Sequence, residues 1–238
     1  SVTRGVAEYA HTHGQWVLLI EPRDERRRLA LPNDWNGDGV VARLGDPWMA
    51  DHLRRAGLPV VDTDTVMLDQ NWPGRVVTDD NERARLALSH LRDRGFDRFA
   101  YFAPPIKRYS TVRGEAFVQV VAAAGFSCSV YRPGYRAGRR IGWNEQQRLV
   151  AEWLASLPRP IAIFTVDAHR GRQLAEICHT LEIRVPDGVA ILAGDTDELM
   201  CSVCSPPLSS VQLASQRIGY EAAALLNRMI QGEPAPSD

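Results

Sequence analysis

The sequence predicts an α/β protein whose parallel sheets are covered by helices on both faces. Along its 238 residues, short β-rich runs alternate with segments of helical periodicity, which is the pattern of parallel strands joined by helices. Proline pairs at 104–105 and 206–207 interrupt this alternation. Because proline cannot continue a central strand, both pairs indicate connections that leave a sheet. We therefore predict two smaller sheets, and neither a closed barrel nor one wide sheet.

The predicted strands are short runs rich in β-branched and aromatic residues. In chain order they cover residues 16–20, 39–44, 59–61, 75–78, 98–102, 127–131, 161–165 and 189–192.

The predicted helices each carry one apolar stripe at the spacing i, i+3, i+4, i+7. The stripes are 84/87/88/91, 117/120/121/124, 150/153/154/157, 174/177/178/181 and 222/225/226/229. A further helix is predicted over residues 2–13, and the alternation would place a strand before it.

The proline pairs also set the predicted domain boundaries. We assign residues 1–103 and 208–231 to a first lobe and residues 104–207 to a second lobe, both Rossmann-like. Residues 232–238, with two prolines, predict a frayed linker.

Composition excludes several classes of protein. The 28 basic and 29 acidic side chains give a net charge of −1, which excludes a basic nucleic-acid-binding module. No apolar run approaches the roughly 18–20 residues of a membrane span. Four cysteines are too few for a disulfide scaffold, which favours a reducing cytoplasm, and the lone pair Cys201 and Cys204 is interpreted as structural. With no phosphate-binding glycine motif and no metal-ligand spacing, we expect neither a cofactor nor a metal.

Candidate ligand-binding residues follow the predicted strands, because ligands of open α/β sheets bind beyond the carboxyl ends of the strands. These residues are Glu21, Asp62, Asp79, Asp80, Asn81, Asp167 and Asp195. An Asp or Asn in such a position also serves as the N-cap of the next helix, and the two roles are compatible.

Arg113 supplies the donor that these carboxylates lack. It opens a predicted helix, and we expect it at the mouth of a cleft, outside both hydrophobic cores. Carboxylates that accept O–H protons, together with a guanidinium that donates, suit a ligand rich in hydroxyls. Tyr109 or Trp143 would cover the apolar face of a sugar ring.

Three functions fit these features: a sugar-sensing regulator domain, a transport-type sugar-binding protein and a carboxylate-based glycoside hydrolase. The hydrolase would need Asp79, Asp80, Asp167 and Asp195 to converge, but nothing marks one as acid and another as nucleophile. We therefore predict a binding protein with no catalytic residue.

Several segments of the chain resemble the effector-binding domains of lac-repressor-like regulators. Asp80-Asn81 at the start of a helix that ends in SHLRDRGF (89–96) resembles their D-N…H-L…G-F segment, and YSTVR (109–113) resembles the segment with their sugar-binding arginine. VP…VAILAGD (185–195) is similar to a further motif of the family. WLASLP (153–158), PPLSSV (206–211) and IGYEAA (218–223) resemble the xylose operon regulator branch.

The resemblance covers nearly the whole chain and implies a periplasmic-binding-protein type I fold, with two lobes that close on xylose or a related monosaccharide. It further implies a cytoplasmic, homodimeric transcription regulator, and DNA binding through AraC-type helix-turn-helix motifs beyond residue 238. For the homodimer we expect first-lobe helices such as residues 82–94 to supply the contact. Asp80, Arg113, Asp167 and Asp195 match the ligand positions of the family. Ala193 departs from the family's usual glycine.

Overall fold

The computed structural model describes residues 1–14, 16–21, 30–32, 35–66, 71–104, 108–132 and 142–236. They form two compact units, one of residues 1–78 and 214–238 and the other of residues 79–213. In chain order the elements are α1 (Val2–His13), β1 (Val40–Ala42), α2 (Pro47–Ala56), β2 (Val60–Asp62), β3 (Gly74–Arg75), α3 (Asp80–Arg92), β4 (Phe99–Phe102), α4 (Arg108–Ala123), β5 (Cys128–Val130), α5 (Trp143–Ser156), β6 (Ile161–Thr165), α6 (Ala168–Thr180), β7 (Val189–Ala193), α7 (Glu198–Ser202), β8 (Ser209–Ser210) and α8 (Ser215–Ile230).

The unit of residues 79–213 is built on a five-stranded parallel sheet with the order β5-β4-β6-β7-β8. Every residue of β4, β6 and β7 is buried, as expected for strands covered on both faces. Successive side chains point to opposite faces, so Phe99 and Tyr101 pack against α3 and α4, whereas Ala100 and Phe102 pack on the α5 and α6 side. Two hydrophobic cores result, one on each face of the sheet.

The other unit holds a three-stranded parallel sheet with the order β1-β2-β3. Val61 faces α8, whereas Val60 faces the side of Leu53 in α2. Helix α1 packs closely along α8 because glycines stand at the contact: a Cβ on Gly5 would lie 1.8 Å from the carbonyl oxygen of Gln216. This approach leaves no room for a side chain at that position.

The predicted domain boundaries differ from the observed units and are wrong. Strand β4 lies at the heart of the second sheet, because it pairs with β5 and β6. The chain returns to the first unit at Ala214 and not at residue 208, because β8 pairs with β7 and the Val211 amide donates to the Ala193 carbonyl at 2.9 Å. Strand pairing between distant segments, and not the prolines, decides the division. Pro105 of the first pair and residues 237–238 of the predicted linker lie outside the described residues.

Seven of the eight predicted strands have a counterpart in the structure, and residues 16–20 do not. The described residues give this segment no strand partner, and Val17 is 97% exposed. A strand is stable only where a neighbour pairs with its backbone, so β-rich composition alone is not sufficient. Helices α3, α4, α5, α6 and α8 coincide with the predicted stripes, and α1 coincides with the helix predicted over residues 2–13. Helices α2 and α7 have no predicted stripe.

Candidate functional site

The candidate residues gather at the point where the strand order of the five-stranded sheet reverses. The chain runs from β4 to the neighbouring edge strand β5, then crosses to β6 on the other side of β4. A crevice forms outside the carboxyl ends of the strands at such a reversal, and it is the usual ligand site of open α/β sheets. Tyr109 and Arg113 follow β4 on α4, and Asp167 follows β6.

Arg113 links two elements at this reversal. Its Nε donates to Oδ1 of Asp80 at 3.1 Å, and its Nη1 donates to the carbonyl oxygen of Val166. The residue is 7% exposed, so it is buried and not exposed as expected for a residue at the mouth of a cleft. The reason is the close contact of α4 with the sheet: Gly114 has no Cβ, and one placed there would lie 2.5 Å from the buried ring of Tyr101.

Asp80 faces Arg113 because its neighbour performs the capping. The Asp79 side chain accepts from the amides of Asn81 and Glu82 at 2.8 and 3.0 Å, which satisfies the first turn of α3. Asp80 is the first residue of the helix proper, and its side chain is 9% exposed. The N-cap role therefore belongs to Asp79, and the Asp80 carboxylate is held by guanidinium groups.

Asp167 and Asp195 meet at the start of α6. Asp167 accepts from the Arg170 amide at 2.8 Å, and Asp195 accepts from the Ala168 amide at 3.0 Å. Burial raises the pKa of Asp195, and the Ala168 amide acts in the opposite direction. Asp167 directly follows Val166 in the chain, and Asp195 contacts the amide of Ala168, two residues after Val166. The carbonyl of Val166 accepts from Arg113.

Gly194 brings the ends of β6 and β7 together. A Cβ at this position would lie 2.6 Å from the carbonyl oxygens of both Thr165 and Val166. Only glycine permits this approach, which places Asp195 beside the first turn of α6.

The two aromatic candidates occupy different places. The Tyr109 ring lies 5.4 Å from the Arg113 guanidinium carbon, and burial raises the pKa of Tyr109. Trp143, the first residue of α5, is 68% exposed. It lines a cavity of about 300 Å³ together with Arg170 and Gln173. The structure therefore gathers four of the six predicted residues near Arg113, the fifth, and places Trp143 beside the first turns of α6.

Two charged residues of the cluster, Arg83 and Arg170, were not predicted. Arg83 is 3% exposed, and its Nη1 lies 3.5 Å from Oδ1 of Asp80. It belongs to the buried face of α3 together with Ala84, Ala87, Leu88 and Leu91. The position of Arg83 next to the apolar stripe of α3 is a feature of the sequence from which its burial could have been predicted.

The other candidates lie elsewhere or have structural roles. Asp62 ends β2 in the other unit, where it is fully buried and accepts from the Leu44 and Asp64 amides at 3.1 and 2.9 Å. Within the described ranges, no group of three or more His, Cys, Asp or Glu side chains is placed to hold a metal ion. Cys201 and Cys204 are both buried thiols. No helix in the described part of the chain is long and apolar enough to cross a membrane.

Comparisons with known proteins agree with this architecture. The family model of the periplasmic binding protein-like domain matches residues 88–238. The xylose operon regulatory protein of Escherichia coli K12 is 32% identical over 242 residues, which cover 99% of this chain and 61% of that protein. The chain thus spans about three-fifths of the length of this relative.

Solved structures share the fold over the whole chain. The structure of the xylose-binding transcription activator xylR superposes with a TM-score of 0.79 at 28% identity and covers 100% of this chain and 61% of that one. A LacI family transcriptional regulator from Mycobacterium smegmatis gives a TM-score of 0.69 at 21% identity over 98% of this chain and 86% of that one. The predicted fold is confirmed, and the chain belongs to the family of periplasmic binding protein-like domains, as found in effector-binding domains of LacI-like regulators.

Proposed function

We propose that this chain is the sugar-sensing domain of a transcriptional regulator, and that xylose or a related monosaccharide is its effector. The observation that carries the proposal is the partly buried contact between Arg113 and Asp80 at the reversal of strand order. Two of the similar proteins described above are named as a xylose operon regulatory protein and as a xylose-binding transcription activator, which supports the choice of sugar.

The chemistry of the cluster suits a neutral polyol. Asp80, Asp167 and Asp195 offer carboxylate oxygens to hydroxyl protons, and Arg113 offers N–H groups to ring or hydroxyl oxygens. Tyr109 adds an aromatic ring next to the guanidinium, and Trp143 adds an exposed one at the start of α5. Because Asp167 and Asp195 are held by backbone amides, we assign them a binding role and no proton-transfer role.

We also propose that the effector acts by changing how the two units close on each other. The chain passes between the units at residues 78–79 and 213–214, so two crossings connect them. A ligand shifts such an equilibrium only if it binds the closed form more tightly than the open form. Small-angle scattering should therefore show a smaller radius of gyration when D-xylose is added.

The direct test of sugar binding is a thermal-shift screen against D-xylose and related pentoses and hexoses. A ligand at one hundred times its Kd stabilises the folded protein by about 2.7 kcal/mol, which the screen detects easily. The Arg113→Ala variant should lose this stabilisation. Loss of the charge-assisted hydrogen bonds of Arg113 costs about 1.5–3 kcal/mol of binding, or one to two decades of affinity.

The variant also loses its contacts to Asp80 and Val166, so a lower melting temperature without sugar is expected. Arg184→Ala removes an exposed arginine from the same unit and is the matched control. Binding should therefore be measured by calorimetry below both melting temperatures. If folded Arg113→Ala bound D-xylose as tightly as the wild type, Arg113 would not be part of the site.

A further inference from the structure

Arg83 carries a guanidinium group on the apolar face of α3. Its side chain is 3% exposed, and the neighbouring residues Ala84 and Ala87 pack in the core between α3, α4 and the sheet. Burial of a charge is costly unless an opposite charge lies close to it. An apolar residue at this position would fill the core at lower cost, so the presence of arginine calls for a function of its charge.

The charge of Arg83 acts on the carboxylates of the candidate site. Its Nη1 lies 3.5 Å from Oδ1 of Asp80, the same oxygen that accepts from Nε of Arg113 at 3.1 Å. A single carboxylate oxygen thus accepts a hydrogen bond from one guanidinium group and forms an ion pair with a second. Asp195 also interacts electrostatically with Arg83, although it follows a different strand.

Arg83 remains charged at neutral pH. Burial is the main cause that lowers its pKa, to about 10, with a smaller contribution from Arg113. Asp80, Asp195 and Tyr101 act in the opposite direction. These are the charged and titratable groups that face Arg83 from its own helix, from α4, from the end of β7 and from β4.

We propose that Arg83 is a positioning residue of the effector site, which holds Asp80 against Arg113 and balances the carboxylates so that the site accepts an uncharged, hydroxyl-rich ligand. This inference rests on the proposed function. The cluster holds the carboxylates Asp80, Asp167 and Asp195 and the guanidinium groups Arg83, Arg113 and Arg170, three of each sign. Without Arg83 the three carboxylates outnumber the two remaining guanidinium groups. Protonation of one carboxylate would then restore a net charge of zero in the cluster.

The test compares the wild type with Arg83→Met, which keeps the length of the side chain and removes its charge, and with Arg83→Lys, which keeps the charge. In each ligand-free protein the titration of the Asp195 carboxyl group is followed by the NMR chemical shift of its side-chain carboxyl carbon. D-Xylose affinity is measured by calorimetry between about pH 5 and pH 8. Arg85→Met is the matched control, because Arg85 lies on the same helix with an exposed side chain paired to Glu82.

We expect Arg83→Met to raise the titration midpoint of Asp195 by about one pH unit. It should also weaken D-xylose binding about tenfold at neutral pH, with a further loss as the pH falls. Arg83→Lys should restore most of both properties, and Arg85→Met should change neither. A residue that only fills space would lower the melting temperature and leave the midpoint where it is.

An unchanged midpoint and affinity in folded Arg83→Met would overturn the proposal. If this variant does not fold, Arg83→Gln removes the same charge and is judged by the same criteria. A wild type that binds no sugar of the panel would contradict the proposed function, whereas the ligand-free titration would still decide whether Arg83 sets the charge of the cluster.

Discussion

Gly194→Ala tests the local packing that brings the candidate residues together. The added Cβ would lie 2.6 Å from the carbonyl oxygens of Thr165 and Val166 and 3.0 Å from the carbonyl carbon of Val166. All three are backbone atoms of a buried segment, so they cannot turn aside as the end of a side chain would. The ends of β6 and β7 must separate to admit the methyl group.

The size of the effect follows from two opposing contributions. Overpacking of a well-packed interior costs about 1–3 kcal/mol. The alanine also lowers the conformational entropy of the unfolded chain, which stabilises the folded state by about 0.4–1 kcal/mol. Because the contacts are with backbone at 2.6 Å, we expect the upper part of the first range. The net loss is then about 2 kcal/mol of unfolding free energy, or roughly 4–8 °C in melting temperature.

Sugar binding should weaken at the same time. Separation of the strand ends moves the Val166 carbonyl that holds Arg113, and it moves Asp195 away from the Ala168 amide. Urea unfolding and D-xylose calorimetry measure the two effects. Gly45→Ala is the control, because a Cβ on Gly45 meets no atom within 4 Å. If Gly194→Ala kept its unfolding free energy within about 0.5 kcal/mol of the wild type, the inferred close packing would be incorrect.

Three other expectations can be checked independently. Burial raises the pKa of Asp62, so the native state holds this proton more tightly than the unfolded chain and the resulting stabilisation is lost as the pH rises through the raised value. Urea unfolding between about pH 4 and pH 7 should show this loss in the wild type and not in Asp62→Asn. In a mobility shift at moderate salt, this chain alone should not retard operator DNA, because its net charge of −1 offers few phosphate contacts. Sedimentation should show a homodimer that Leu86→Glu weakens, since Leu86 is exposed on α3; an unchanged dimer would place the contact elsewhere.

The sequence by itself determined the positions of most helices and strands and the face of each that is buried. The stripe at Ala84, Ala87, Leu88 and Leu91 places one face of α3 in a core, and the observed helix buries those four residues. The strands at 98–102, 161–165 and 189–192 were predicted within one residue of their observed ends. Periodicity succeeds here because neighbouring residues along a helix or strand share a face whatever the rest of the chain does. The positions of Asp167 and Asp195 after their strands follow from the same reasoning.

Tertiary structure decided the properties that depend on distant segments. The division of the chain follows from β4 pairing with β6 and β8 pairing with β7, and no local pattern reports such pairing. The same holds for Arg113, which is buried because Gly114 admits the ring of Tyr101 and because Val166, 53 residues away, supplies an acceptor. Arg83 is surrounded by charges from α3, α4 and the end of β7. Electrostatic balance of this kind arises only when the fold brings those segments within a few ångströms of one another.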